Sequence, residues 1–382
     1  MKKISLLIFS SFFFFSFYSL ATKESAEMRG GDHLGVIWST KENQNIWRMP
    51  QQVNVMGSNI QITRTGTSIG TAEGGFFLKK ETSKKVFGKA RSYHFGLYIN
   101  NSNPDFDRVN DNDTIGSHQN SLTQGRRVDF FIGGVSEKYN LGFRLGFNEI
   151  RAAAASATAD KKKRVSVFDL AIGGTLGRFD VWAKYAADPR SDNGTYRENS
   201  HSSSYQVGIR TKLFGNMFYL EHNAGLENPL LGLALAKRSY SNRKKMSITW
   251  QFGFARVHKV KKQAEFFWNT DWTYVHLDKE ILNYASEGYY LAKLKGWRFH
   301  WTFGFSQQFF SWLKTAGSFE YTAYDDFNKP FDAEKKMTKA NLGVSLFSRS
   351  LQLDLNSSYT GLGVAGLNEI FSSTTGTLIY HF

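Results

Sequence analysis

Apolar and polar residues alternate with a period of two along most of this chain, and this pattern constrains its fold more than any other feature. In residues 297–306 the apolar face holds Trp297, Phe299, Trp301, Phe303 and Phe305, and the other face holds Arg298, His300, Thr302, Gly304 and Ser306. Residues 140–148, 246–254 and 351–356 repeat the pattern. Successive side chains of a β-strand point to opposite faces, so the pattern predicts an all-β fold of antiparallel strands.

The composition of the two faces indicates what each of them contacts. Aromatic residues make up 16% of the chain, with 34 Phe, and they concentrate in the apolar rows. The opposite rows carry Gly, Ser, Thr, Asn and full charges, and short connections alternate with long polar ones along the chain. A soluble sandwich also alternates, but long aromatic faces and alternating loop lengths are typical of a transmembrane antiparallel β-barrel. Such a barrel has short periplasmic turns and long external loops.

The N-terminus has the composition of a secretory signal peptide. A short basic start, Met1-Lys2-Lys3, precedes an apolar run over residues 4–18 and the small-residue sequence Ser19-Leu20-Ala21. We expect cleavage near Ala21; the alternative is an uncleaved anchor, although the run is shorter than the ~20 residues of a membrane-spanning helix. The net charge of +15 would otherwise suggest a nucleic-acid partner, which export makes improbable. The absence of Cys excludes disulfides and thiolate metal sites.

The C-terminal strand resembles that of bacterial outer-membrane proteins. Leu378, Tyr380 and Phe382 alternate with more polar residues, and the sequence ends at the aromatic Phe382. The resemblance implies that these three residues are the signal read by the barrel-assembly machinery, that this end of the barrel is periplasmic, and that the protein resides in the outer membrane as a porin-like barrel.

The segment before the first strand has a second, fainter resemblance. Residues 45–50, Asn-Ile-Trp-Arg-Met-Pro, resemble the Asn-Pro-Ala segment of fatty-acid-transporter-like barrels, keeping only the spaced Asn45 and Pro50. The expected organisation is therefore a signal peptide (1–21), an N-terminal segment that enters the lumen or caps the periplasmic mouth (22–53), and the barrel (54–382). A flexible periplasmic lead is the alternative for 22–53.

The number of strands follows from counting the alternating segments. We find sixteen, an even number as bacterial single-chain barrels require. Residues 230–238 and 288–293 are ambiguous, and counting both would give eighteen, so the expected range is fourteen to eighteen. The 361 exported residues (382 minus 21) can supply sixteen to eighteen strands of ~10 residues with their turns.

A barrel of this size can enclose an aqueous channel, and charged residues in the polar rows are candidates to line it. The pore-lining candidates are Arg144, Asp169, Asp180, Lys184, Arg210, Lys212, Arg298, His300, Glu320 and Asp354. The interpretation is a porin-like channel for passive diffusion of small hydrophilic solutes. Charges of both signs are present, and a hypothesis of anion preference rests on Arg144, Arg210, Lys212 and Arg298. The opposing interpretation is that the charges pair with one another and fill the lumen.

Two other functions remain open. One is a structural or surface-interaction barrel with a closed lumen, and the other is a transporter of apolar molecules. The sequence has no nucleophile elbow and no metal-ligand spacing, so we expect neither an enzyme nor a cofactor. The expected partners are outer-membrane lipids including lipopolysaccharide, the barrel-assembly machinery, small solutes and, by analogy with porins, further copies of the chain.

Overall fold

The computed structural model describes residues 46–65, 72–81, 90–99, 114–115, 118–119, 122–136, 139–152, 163–189, 201–225, 247–261, 263–283, 288–325, 336–360 and 375–382. A short 3-10 helix, Pro50–Val55, precedes the first strand. Within the described residues no helix is long and apolar enough to cross a membrane.

Within the described residues, eighteen strands follow this helix. Their bounds are β1 (Asn59–Thr65), β2 (Ala72–Glu81), β3 (Ala90–Ile99), β4 (Thr114–Ile115), β5 (His118–Gln119), β6 (Leu122–Ser136), β7 (Asn140–Ala152), β8 (Lys163–Leu176), β9 (Phe179–Pro189), β10 (His201–Leu213), β11 (Asn216–Gly225), β12 (Ser247–Lys261), β13 (Ala264–Asn283), β14 (Gly288–Phe310), β15 (Leu313–Asp325), β16 (Lys336–Ser348), β17 (Leu351–Thr360) and β18 (Thr375–His381). Strands β4 and β5 pair only with each other, and the remaining sixteen form one closed barrel.

The barrel closes between its first and last strands. Strand β1 pairs antiparallel with β18, from Asn59 opposite His381 to Thr65 opposite Thr375. The hydroxyls of Thr63 and Thr377 lie 2.9 Å apart inside this seam. Closure leaves no unpaired strand edge in the barrel, which is the condition for a sheet to lie in lipid. The predicted antiparallel barrel of sixteen strands is confirmed.

The structure differs from the strand prediction in two details. The ambiguous residues 288–293 are the first part of β14 and not a separate strand, because β13 and β14 form one long hairpin paired from Asn283 opposite Gly288. The barrel begins at Asn59 and not at residue 54, since residues 50–55 form the 3-10 helix. Residues 230–238 lie outside the described residues.

Tight turns join the strands at one end of the barrel, which we call the short-turn end. Residues 177–178, 214–215, 311–312 and 349–350 each connect two strands there, and β1 begins and β18 ends at the same rim. Gly177 and Gly215 have φ angles of 62° and 81°, which glycine adopts without a Cβ penalty. Most of the longer connections join strands at the opposite end, although residues 82–89 connect β2 to β3 at the short-turn end.

The two faces of the wall follow the period-two prediction. On β14, Trp301, Phe303 and Phe305 are exposed on the outside, whereas Thr302 and Ser306 are buried inside. An outward charge at mid-depth would cost about 2–4 kcal/mol in lipid. The alternation therefore places apolar rows on the outside of the barrel and polar rows toward the lumen.

Inside the barrel, large aromatic rings lie across glycines of the neighbouring strand. The directly opposed pairs are Tyr98 with Gly75, Phe77 with Gly96, Trp182 with Gly208, Tyr219 with Gly253, and Phe267 with Gly304. A Cβ atom added at any of these glycines would collide with the ring or its hydroxyl. Glycine is therefore needed at these positions because the ring lies flat against the wall.

Candidate functional site

The lumen of the barrel holds most of the candidate residues predicted from the sequence. Five of them are buried: Arg144, Asp169, Lys184, Arg210 and Asp354. Four are partly exposed beside an ion-pair partner, namely Asp180, Arg298, His300 and Glu320, and Lys212 is exposed near the short-turn end. The structure gathers these residues into separate groups along the wall instead of one ring.

The first group, which we call the buried network, comprises Arg127, Asp129, Arg144 and Asp169 on β6, β7 and β8. Arg127 donates two hydrogen bonds to Asp129, at 2.8 and 2.9 Å, and one to Asp169 at 2.7 Å. Arg144 donates to Asp169 and lies 3.4 Å from Asp129. Two guanidinium groups thus balance two carboxylates, which is the condition under which charges tolerate burial.

Space for this network comes from Gly146, opposite Asp129 and Asp169 in the sheet. A Cβ at Gly146 would lie within 2.8 Å of Arg127 Nη2 and of a carboxylate oxygen of both aspartates. Arg127 and Asp129 were not among the predicted candidates. They alternate along β6 with the apolar residues Val128 and Phe130, so the same period-two rule could have identified them.

Residues 46–56, which we call the lumen segment, cover this wall from inside the barrel. Trp47 donates a hydrogen bond from Nε1 to Asp129 Oδ2, at 3.3 Å. Its ring packs edge-on against Tyr98 and Phe131, with centroid distances of 5.2 and 5.9 Å. Apolar side chains of the segment and wall, including Val53, complete this cluster. The segment is therefore seated by a buried polar contact and by apolar packing.

Three inward glycines form the seat of the 3-10 helix. A Cβ at Gly133 would collide with Asn54, one at Gly142 with the backbone at Pro50, and one at Gly173 with the Gln51 side chain. The Asn54 amide donates to Leu141 O at 2.7 Å and to Asn140 Oδ1 at 2.5 Å. The wall is shaped to fit this helix, because any larger residue at the glycines would displace it.

The lumen segment also reaches the next part of the wall. Arg48 lies 3.7 Å from Glu221 of β11, and Glu221 accepts a hydrogen bond from Trp182 Nε1 at 3.2 Å. Met49 packs in one apolar cluster with Trp182 and Tyr219. The segment thus bridges strands β3 to β11 from within. For the described residues 46–53, a position inside the lumen is what the structure shows.

The second group, which we call the accessible network, lies on β13 to β16. His300 stands between two carboxylates, with Nδ1 2.9 Å from Asp271 and Nε2 3.6 Å from Glu320. Arg298 donates to Asp271 at 3.3 Å, and Lys339 lies 3.6 Å from Glu320. Asp271 and Lys339 were not predicted, although Asp271 alternates with aromatic residues of β13 and could have been.

Solvent access separates this group from the buried network. The side chains of Arg298, His300, Glu320 and Lys339 are 15%, 17%, 15% and 26% exposed, whereas those of the buried network are 0–3% exposed. Asp271 differs from the other members of the accessible network, because its side chain is only 1% exposed. The accessible network is therefore open to solvent to a degree that the buried network is not.

The third group is the pair of Arg210 and Asp180, which lies nearer the short-turn end. Arg210 donates to Asp180 at 2.6 Å, and Asp180 also accepts from Thr175 at 2.5 Å. Arg144, Arg210 and Arg298 thus each pair with a carboxylate, and the anion preference stays a prediction. Among the described residues, no group of His, Cys, Asp or Glu is arranged to hold a metal ion.

Comparisons with known proteins identify no family. No protein-family model and no curated protein matches the sequence. Solved structures that resemble the fold include CdiB from Acinetobacter baumannii (9% identity, TM-score 0.49, 85% of this chain and 60% of that one) and the CymD monoaromatic hydrocarbon channel (10%, 0.41, 95% and 99%). A porin structure is a third (9%, 0.40, 85% and 99%). The chain spans less than two thirds of CdiB, and likeness at this level carries no information about substrate.

Proposed function

We propose that this protein is an outer-membrane channel through which small hydrophilic solutes diffuse along a lumen narrowed by residues 46–56. The observation that carries the proposal is the contrast between an apolar outer face and an inner face of polar and charged side chains in a barrel of sixteen strands. A barrel of this size is wide enough for an aqueous interior, unlike an eight-stranded one. The apolar outer rows fit the proposed location in the outer membrane.

The position of the apolar lumen residues favours hydrophilic over apolar solutes. Phe77, Tyr98, Phe131 and Ile379 belong to the cluster around the lumen segment, which already covers them. The accessible network presents charged groups instead. A route for apolar molecules would need an uncovered apolar row.

Solute entry into liposomes tests the channel. Purified protein, shown to be folded by its heat-dependent electrophoretic mobility, is reconstituted and challenged with sugars of increasing size. We expect the smallest sugars to enter and a size cutoff to follow, because the lumen segment occupies part of the cross-section. Exclusion of even the smallest sugar by folded protein would contradict the proposal.

A closed-lumen barrel that binds partners through its loops is the second candidate. It is favoured by the burial of Arg144, Asp129 and Glu221, each 0% exposed, since charges in a wide aqueous pore would be wetted. The same swelling assay separates the two candidates. If sugars enter liposomes only when residues 46–56 have been removed, the result would favour the closed-lumen candidate.

Export and assembly are proposed from the two ends of the chain. Leu378, Tyr380 and Phe382 are exposed on the outer face of β18, where the barrel-assembly machinery could bind them. The signal peptide lies outside the described residues. Mass spectrometry of the protein from outer-membrane fractions would test cleavage near Ala21, and crosslinking would test lipopolysaccharide contact and self-association.

A further inference from the structure

The rim at the short-turn end is strongly basic. Its exposed cationic residues are Lys79, Lys80, Arg178, Lys212, Arg256, Lys259 and Arg349. Among the described residues of this rim, Glu81 pairs with Lys79 at 2.9 Å, Glu265 with Lys259 at 3.6 Å and Asp180 with Arg210 at 2.6 Å. The cations of this described part of the rim therefore outnumber its carboxylates.

Exposed aromatic side chains stand at the level of these cations. They are Phe179, Phe214, Phe310, Trp312, Tyr380 and Phe382. Phe310 stacks on Trp312, and Tyr380 on Phe382, at centroid distances of 5.3 and 6.3 Å. Aromatic rings at headgroup depth, interleaved with Lys and Arg, are the composition of a protein surface in contact with lipid headgroups.

Two of the tight turns hold strained residues at this rim. Phe214 has φ 52° and Arg349 has φ 32°, in the left-handed region where glycine or asparagine has the lowest cost. Phe214 is 95% exposed, so its ring gains little from packing within the protein. The Arg256 guanidinium lies beside the same turn, 3.8 Å from where a Cβ of Gly215 would be. Two-residue hairpin turns use positive φ angles, and a non-glycine residue in this conformation is also found at functional sites.

The period of two divides the cations into two sets. Lys80 and Arg256 share the outward phase of Leu78 and Phe254, whereas Lys79 and Lys212 have the inward phase and face the mouth of the lumen. Only the outward set can touch lipid. The chain thus supplies its own matched control, with Lys80 and Arg256 on the outer face and Lys79 and Lys212 on the inner face of the same rim.

We propose that the outward cations and aromatic residues of this rim form a binding surface for the headgroups of anionic phospholipids. The phosphate and glycerol groups of such lipids would contact Lys80, Arg256 and the turn residues Phe214 and Arg349. The inference rests on the proposed membrane location and is independent of channel activity. Because the cations are exposed, the attraction weakens as salt rises.

Thermal unfolding in two lipid compositions tests the surface. Full-length protein is placed in phosphatidylcholine nanodiscs and in nanodiscs of equimolar phosphatidylcholine and phosphatidylglycerol. We expect a higher Tm in the anionic mixture, and high salt should abolish the gain. The double variant Lys80→Gln/Arg256→Gln should lose the gain, and Lys79→Gln/Lys212→Gln should keep it.

The strained turn supplies a second, opposite readout. Phe214→Asn relaxes the turn, so its Tm in phosphatidylcholine should equal or exceed that of the unmodified protein, while its gain in the anionic mixture should shrink. Equal Tm values of the unmodified protein in both lipids, or equal loss of the gain in both double variants, would overturn the proposal. Sugar entry, measured separately, would show whether the channel function stands or falls with it.

Discussion

Two parts of the lumen wall carry similar charged residues and use them differently. On β6 to β8, Arg127 binds Asp129 and Asp169 at 2.7–2.9 Å, and the lumen segment covers the group. On β13 to β16, Arg298 and Lys339 approach their carboxylates at 3.3–3.6 Å and stay partly exposed. The difference lies in what covers each wall. Covered charges contact the lumen segment, and the other charges remain partly open to solvent.

The largest expected effect comes from breaking the buried network. Arg144→Met removes one of its two cations and leaves Asp169 and Asp129 with less compensation in a water-free site. We expect a loss of about 3–5 kcal/mol in the free energy of unfolding. Denaturant titration of the folded barrel in detergent micelles would measure it.

The same change in the accessible network is the matched control. Arg298→Met should cost about 1 kcal/mol or less, because it removes a single long hydrogen bond to Asp271, and the Asp271 carboxylate keeps His300 Nδ1 at 2.9 Å and the Gln251 amide at 3.0 Å as partners. Equal losses for Arg144→Met and Arg298→Met would show that the two walls do not differ in the way proposed.

The seat of the lumen segment is the next place to test. Gly133→Ala puts a Cβ against Asn54 and Val53, whereas Gly134→Ala, on the opposite face, has no atom nearer than 4.0 Å. We expect Gly133→Ala to cost about 1–3 kcal/mol by overpacking and to raise sugar permeability as the segment loosens. Gly134→Ala should change neither. Unchanged sugar permeability in Gly133→Ala would show that the lumen segment does not control solute flow.

A smaller effect is expected at the polar contact of the lumen segment. Trp47→Phe keeps an aromatic ring near Tyr98 and Phe131 but removes the donor to Asp129. We expect a loss of about 1 kcal/mol in unfolding free energy, the usual contribution of one hydrogen bond. In the background of Asp129→Asn the same substitution should cost less, and an unchanged cost would show that packing alone holds Trp47.

The smallest effect on stability belongs to the accessible network. Lys339→Gln should change the unfolding free energy by no more than about 0.5 kcal/mol, since its pair with Glu320 is partly hydrated. In a salt gradient the reversal potential should move toward cations, because Glu320 loses its positive neighbour. Lys212→Gln is the comparison variant, since it removes a cation at the rim instead of one in the accessible network. An unchanged reversal potential in Lys339→Gln would show that solutes do not pass the accessible network.

Much of the fold could be predicted from local pattern. The phase of β14, the sixteen strands and the outward position of Leu378 and Tyr380 all follow from alternation, because lipid and water select opposite faces of the same strand. The boundary near residue 54 was less well predicted. Residues 50–55 share no period with the strands, and their conformation depends on the glycine seat across the lumen.

The candidate site was predictable only in part. Arg144 and Arg298 were placed in the lumen by the same rule and were given the same role as pore cations. Their roles differ because Arg144 meets Asp169 and Asp129 under the lumen segment, while Arg298 meets Asp271 on an open wall. The partners come from other strands, and pairing across strands depends on register, which alternation alone does not specify.

The sequence by itself determined a closed barrel with an apolar outside and a polar inside, since the direction of each side chain in a strand depends only on its parity. Tertiary structure alone decided which charges neutralise each other, where residues 46–56 are seated and which wall faces the solute. These properties depend on atoms brought together from distant parts of the chain, as when Trp47 meets Asp129 or His300 meets Asp271 and Glu320.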